Sequence, residues 1–174
     1  MATLSTVIRY AQGDHQLTFV VEGRACMAQS LPLRRVADRA IAAGTDQICI
    51  DLQGCTHMDS TFLGTLLAIK KVLEGNHKGQ LGLLTPSTSC VRILQQMGLA
   101  DILTTCNHTP DPQARWFDLP CETQDPSSFR RNIVQAHEEL ACLPGESGDQ
   151  FRAVVRTIQQ SERPAAPSPS TPPE

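Results

Sequence analysis

Apolar residues recur along this chain at two different periods. From about Leu4 to Tyr10, and again from Gln16 to Val21, the pattern is that of strands. Leu17, Phe19 and Val21 share one face of the second run, the alternation of a half-buried strand. The segment AQGD (Ala11 to Asp14) supplies turn residues between the two runs, which together predict a hairpin. Gly23 interrupts the alternation. From Ser30 the period lengthens, and Leu33, Val36, Ala37, Ala40 and Ile41 fall on one helical stripe. Ser30 is the expected cap of that helix, with Pro32 in the first turn, where its missing N–H costs nothing. Gly44 is its expected stop.

The same alternation of short and long periods continues. QICIDL (Gln47 to Leu52) is a short apolar run suited to a central strand. A second helix follows the triplet Asp59-Ser60-Thr61, with Phe62, Leu66, Ile69 and Leu73 as its stripe and Leu63 and Leu67 beside it. Lys70, Lys71 and Glu74 fall on its solvated side. NHKG closes it, QLGLLT is a further strand, and Ser87 caps a third helix striped by Cys90, Ile93, Leu94 and Met97. Gly98 ends that helix, and LADILTT is expected to be extended. Strands alternating with helices of this length imply crossover connections and a partly parallel sheet. The opening hairpin adds an antiparallel edge. The fold class is therefore α/β, a mixed sheet with helices packed against it, complete by about residue 105.

Beyond that point the chain changes character. Residues 106–125 are Pro-rich and irregular, with Trp116 and Phe117 as the side chains able to dock the segment on the body. Within 126–160, Phe129, Ile133, Ala136, Leu140 and Leu143 make one apolar seam, and Phe151, Val154, Val155 and Ile158 make a second. A Pro-Gly turn joins them, predicting a helical hairpin. Such a hairpin needs a surface to bury against, on its own chain, on a partner or on a second copy through self-association. Residues 161–174 have the Pro-rich composition of a disordered tail.

Composition narrows the function classes. With 174 residues, 40% apolar and 19% charged, and a net charge of -3, the chain has no basic surplus for direct nucleic-acid binding. No apolar run is long enough for membrane insertion, and the N-terminus lacks a basic region followed by an apolar one. A cytoplasmic location is the expectation. The seven cysteines (Cys26, Cys49, Cys55, Cys90, Cys106, Cys121, Cys142) contain no C-x-x-C pair, which argues for buried reduced thiols rather than a metal or disulfide framework. A Cys55/His57 nucleophile pair lacks an orienting third group. No cofactor or metal motif is evident, so an enzyme is not expected.

The candidate chemistry lies in HMDSTFLGTLL (His57 to Leu67). Ser60 at a helix start is expected to cap the first-turn amides. It also follows a strand and loop at the carboxyl edge of the sheet, where open α/β sheets place their sites. A phosphate there would meet unpaired backbone N–H groups and the positive end of the helix dipole. Ser60 is thus a candidate for modification, and the added charge beside Asp59 would alter partner binding.

The segment from Ile48 to Leu103 resembles the STAS domain of bacterial anti-sigma factor antagonists. In that family a strand ending in Asp-Leu precedes a loop, Met-Asp-Ser, Leu-Gly and an apolar helix. The matching residues here are Asp51-Leu52, Met58-Asp59-Ser60 and Leu63-Gly64, with Gly98-Leu99 as the later Gly-Leu pair. The resemblance spans roughly 3–105 and implies a phosphoprotein that acts in transcription regulation by partner switching. It implies an anti-sigma factor serine kinase as partner, Ser60 as the phosphoacceptor, and a serine phosphatase that restores binding. Asp59, Thr61, Phe62, Gly23 and Arg24 are the partner-binding residues it suggests. Two positions depart from the family pattern: Phe62 stands where a Gly is common, and the early loop reads Gly23-Arg24-Ala25-Cys26 in place of Gly-x-Leu-Asp. The competing expectation is an interaction module that is not phosphorylated, used as a signalling scaffold or as a soluble subunit of a transport complex.

Overall fold

The computed structural model describes residues 6–77, 79–107, 113–120 and 125–160. In chain order the elements are β1 (Val7–Gln12), β2 (Gln16–Ala25), α1 (Met27–Ala42), β3 (Gln47–Asp51), β4 (Cys55–Met58) and α2 (Ser60–His77). They continue with β5 (Gln80–Leu84), α3 (Thr88–Gln96), β6 (Trp116–Asp118), α4 (Pro126–Ala141) and α5 (Gly145–Gln160). Six strands form one mixed sheet in the order β5-β3-β2-β1-β6, with β4 paired to β2 off that path. β1 is antiparallel to β2, with Tyr10 opposite Phe19, while β3 runs parallel to both β2 and β5. The expected α/β class and mixed sheet are present.

β2 organises the sheet because it pairs twice on one side. Its first half lies beside β3, from Gln16↔Gln47 to Val20↔Asp51, and its end lies beside β4, from Gly23↔Cys55 to Ala25↔Met58. The register shifts between Gly23 and Arg24, and Gly23 sits at φ 85, a backbone region that glycine enters without a Cβ penalty. The strand expected over Gln16 to Val21 thus runs on to Ala25, with the pattern-breaking Gly23 inside it. That glycine bends the strand so that β4 can join where β3 leaves.

The start of α1 is a second correction. The helix begins at Met27, one turn before Ser30, and Pro32 lies in its second turn. Long-range and side-chain partners supply the first turn. The Gln29 carboxamide accepts from Cys26 N–H at 3.1 Å, and the Asp59 carboxylate accepts from Met27 N–H at 2.8 Å. Ser30, fully buried, donates back to the Cys26 carbonyl instead of capping. At α3 the expectation holds: Ser87 caps, its hydroxyl accepting from Cys90 N–H at 3.2 Å. Residues 99–103 are not extended but form a helical turn, Leu103 N–H bonding the Leu99 carbonyl at 2.8 Å. Burial of Leu99 and Leu103 on one side of that turn explains the difference. Thr105 then bridges Leu83.

The core fills the space between the sheet and α1, α2 and α3, with Leu17, Phe19, Leu33, Ile50, Phe62 and Ile69 fully enclosed. Burial of each such side chain contributes roughly 1.5–3 kcal/mol relative to exposure. β6 extends the sheet beyond β1, and Phe117 stacks on Tyr10 with ring centroids 5.6 Å apart. The expected docking of this segment is thus made, through a strand too short to be read from periodicity.

The helical hairpin is present, with Gly145 at φ 72 in its turn. It packs on its own chain: α4 lies along α2 and buries Ala136 and Leu140, and Leu143 in the turn that follows is buried too. In α5, Phe151, Val155 and Ile158 are half-buried, and Val154 is exposed.

The six cysteines within the described residues are free thiols; Cys121 lies outside them. Cys49 is buried 3.7 Å from the Cys106 sulfur. Burial, with the neighbouring thiol adding to it, pushes its pKa up to about 12. Cys55 is raised too, by its contact with the Cys90 thiol and by burial. Iodoacetamide at about pH 8, where an ordinary thiol is partly ionised, is expected to modify exposed Cys142 in the native protein. Cys49 and Cys55 should react only after unfolding, which peptide mass spectrometry reads directly.

Candidate functional site

The site is assembled where β2, β4, α1 and α2 converge. Asp59 holds that junction with every polar group it has. Its backbone N–H donates to the Ala25 carbonyl at 3.1 Å, and its own carbonyl accepts from Leu63 N–H at 3.0 Å. One carboxylate oxygen accepts from Phe62 N–H at 2.8 Å, and the other accepts from Met27 N–H at the same distance. Asp59 is therefore the cap of α2 and a tie to the first turn of α1.

This corrects the expected role of Ser60. The serine is the first residue of α2, not its cap. A carboxylate makes the stronger, charge-assisted bond to a helix-start amide, and it also suits the positive end of the dipole. The Ser60 hydroxyl is left for another partner. It lies 3.2 Å from Nε2 of His137, which α4 carries across from the C-terminal hairpin. The His137 Nδ1 is 2.8 Å from the Ile133 carbonyl. A carbonyl only accepts, so Nδ1 holds a proton, and in the neutral ring Nε2 accepts from the serine hydroxyl. His137 is 8% exposed and also packs against Phe151, ring centroids 6.0 Å apart.

The other residues suggested by the resemblance divide between surface and interior. Phe62 is fully buried in the core, so its side chain offers nothing to a partner. It fills the stripe that helical periodicity assigns to it. Thr61, 4% exposed, accepts from the Thr65 hydroxyl at its carbonyl, 2.8 Å away. Gly23 is buried, with its N–H on the Gly54 carbonyl and its carbonyl receiving the Thr56 hydroxyl at 3.1 Å. Arg24 is exposed at the end of β2, opposite His57 on β4. Asp51, at the end of β3, accepts from Gln53 N–H and from the Thr85 hydroxyl, closing the loop that leads to the site.

Sequence reasoning missed His137 altogether, because nothing in the chain between α2 and α4 marks their contact. One signal was present. Gly64 stands inside a helix, where glycine costs about 1 kcal/mol against alanine and usually marks a close approach. A Cβ at Gly64 would fall 2.1 Å from the Ala136 carbonyl oxygen. Asn132, buried on α4, donates to the Thr65 hydroxyl at 3.4 Å, and Lys71 meets Glu139 at 3.3 Å. Among the described residues no group of three or more His, Cys, Asp or Glu could hold a metal ion, and no helix is long and apolar enough to cross a membrane.

A mixed sheet whose carboxyl edge presents Asp-Ser at a helix start is the arrangement of a STAS domain. The family model described as "Mlab, STAS domain" matches residues 8–105, and the chain belongs to that family. Among solved structures, the anti-sigma factor antagonist SpoIIAA in its unphosphorylated form is similar at 20% identity and TM-score 0.52, covering 57% of this chain and 88% of that one. The protein TM1081 is similar at 20% identity and TM-score 0.51, covering 56% of this chain and 78% of that one. At this identity the likeness is one of fold. No curated protein matches the sequence.

The two hydroxyl and carboxylate roles separate by mutation. Asp59→Ala removes a cap and a second charge-assisted bond, and is expected to lower unfolding stability by about 2–4 kcal/mol. Ser60→Ala should cost no more than about 1.5 kcal/mol. Urea unfolding followed by circular dichroism checks both, and a larger loss for Ser60→Ala would contradict the assignment of the cap.

Proposed function

We propose that this chain is an anti-sigma factor antagonist that works by phosphorylation-controlled partner switching. In this reading Ser60 is the phosphoacceptor for a serine kinase that is itself the anti-sigma factor, and a serine phosphatase reverses the mark. The observation that carries the proposal is the division of labour at the start of α2. Asp59 takes over the cap through Phe62 N–H, so the Ser60 hydroxyl at the first helical position is not spent on holding the helix. Modification of that oxygen leaves the capping bonds in place. A phosphoryl group would add about two negative charges at the residue after Asp59, at the edge of the sheet where β2 and β4 end. Charge added at such a surface acts through repulsion and desolvation on whatever docks there. The membership of the STAS family and the likeness in fold to an anti-sigma factor antagonist support the same reading.

The work of the chain in this proposal is binding, and no turnover is assigned to it. Asp59 acts by fixing the junction of α1, β2 and α2. Thr61 and Phe62 act from the interior by holding the first turn of α2 in place. Gly23 acts through the bend that lets β4 present the loop, and Arg24 contributes charge at the rim.

One observation favours the alternative of a constitutive interaction module, used as a scaffold or as a soluble subunit of a transport complex. The Ser60 hydroxyl already has a partner in His137, so a purely structural role accounts for it. The two readings part on partner binding. Incubation with the serine kinase and ATP is expected to add one phosphate, seen by intact-mass measurement and lost in Ser60→Ala. The phosphorylated chain, and Ser60→Asp, should bind the kinase at least tenfold more weakly than the unmodified chain. Equal binding by Ser60→Ala and Ser60→Asp would establish the constitutive module instead.

A further inference from the structure

The STAS family model ends at residue 105, and the C-terminal hairpin lies outside it. That hairpin nevertheless covers the residue on which the proposed switch depends. We propose that the α4–α5 hairpin is an intramolecular occupant of the switch face. Its docking on α2 and the engagement of Ser60 by a kinase or partner are mutually exclusive. The inference rests on the reading of Ser60 as the phosphoacceptor and assigns the regulation of that site to the chain's own extension.

The face of α2 turned toward α4 differs in kind from the face turned toward the sheet. The sheet side carries Phe62, Leu66, Ile69 and Leu73, all fully buried. The α4 side carries Ser60, Thr61, Gly64, Thr65 and Ala68, small or hydroxylic residues that allow two helix backbones to approach closely. The contact at Gly64 is backbone to backbone, since even one added carbon would meet the Ala136 carbonyl at 2.1 Å. Nothing else fits between α2 and α4 at that point. Asn132 donates to the Thr65 hydroxyl in the interior of the contact, and Lys71 and Glu139 pair further along the same side. Ala136, Leu140 and Leu143 leave solvent by this packing, so undocking re-exposes apolar surface.

The chemistry of phosphoryl transfer supplies the conflict. The serine oxygen must attack the terminal phosphate in line, while a base of the kinase takes its proton from within hydrogen-bond reach. Here the Ser60 hydroxyl lies 3.2 Å from His137 Nε2, to which it donates when the ring is neutral, and α4 lies over that side. The kinase base cannot occupy the position of the imidazole. Once the phosphate is on, its oxygens take up the space where the imidazole sits, beside an Asp59 carboxylate whose two oxygens are already committed. A docked hairpin therefore protects Ser60, and a phosphorylated Ser60 holds the hairpin off. By linkage, hairpin docking and reversible partner binding at this face weaken each other by the same factor.

The test uses the full chain with phosphoserine installed at position 60 during translation, so it needs no kinase. Amide hydrogen exchange across residues 126–160 should then quicken at least tenfold, with β1, β2, β3 and β5 unchanged. Unchanged protection of 126–160 overturns the proposal. So does increased protection, which would mean that the phosphate pairs with His137 and fastens the hairpin. Gly64→Ala provides the converse. Alanine suits a helix better than glycine, so the substitution should leave α2 formed while forcing α4 away. It should speed hydrogen exchange in 126–160 and raise the rate at which the serine kinase phosphorylates Ser60 at least tenfold. A hairpin released by Gly64→Ala with no gain in phosphorylation rate also overturns the proposal. If the kinase leaves Ser60 unmodified in both chains, the switching function fails, and the phosphoserine chain still decides whether the two states exclude one another.

Discussion

The carboxylate of Asp59 is the constraint on which the rest of this site depends. Four hydrogen bonds meet at that one residue, from its main chain to Ala25 and Leu63 and from its side chain to Met27 and Phe62. They join the end of β2 to the first turns of both α1 and α2. A helix start leaves several N–H groups without intrahelical partners, and here two helix starts share one acceptor. The arrangement sets where α1 begins, which is why that helix starts at Met27 and not at Ser30. It also leaves the Ser60 hydroxyl free of structural duty toward its own helix. An aspartate before the serine is thus more than an acidic neighbour.

Local rules succeed here wherever a segment is organised by its own neighbours. The stripes of α2 and α3, the apolar run of β3 and the Ser87 cap all follow from spacing and side-chain type. They were legible because burial against one sheet imposes one period. What was not legible came from partners distant in the chain. β4 is four residues long and exists because Gly23 turns the end of β2 toward it. β6 is shorter still and is held by Tyr10 and the open edge of β1. Residues 99–103 look extended in composition, yet the two leucines a turn apart are both drawn into the core.

The site itself was half legible. The strand, the loop and the Asp-Ser pair are written in order along the chain, and they lie together at the edge of the sheet where β2 and β4 end. The share-out of roles between Asp59 and Ser60 was not, since both residue types cap helices well and only the geometry shows which one reaches Phe62 N–H. His137 lies 77 residues from Ser60, and its helix could be foreseen from its apolar seam while its docking surface could not. Phe62 is the reverse case. It stands out against the family pattern, but helical periodicity places it in the core, and there its bulk is ordinary packing.

The glycine at position 64 then takes on a meaning that neither the helix nor the motif alone supplies. Inside α2 it lowers helix stability relative to alanine, so the core gains nothing by keeping it. Only the second face of the helix uses the missing side chain, by letting the Ala136 carbonyl come to the backbone. A surface shaped in this way is specific for a helix approaching at close range, and α4 is the helix that fills it. Docking and release of such an element need only a modest difference in free energy to matter, since each factor of ten in the equilibrium is about 1.4 kcal/mol. One hydrogen bond between Ser60 and His137 is of that order, and a charge placed on the serine oxygen acts on the same contact. In the proposed switch, Ser60 and the hairpin are joined by an interaction whose size suits regulation, small enough to be overcome by one covalent change and large enough to shift which face of α2 the solvent sees.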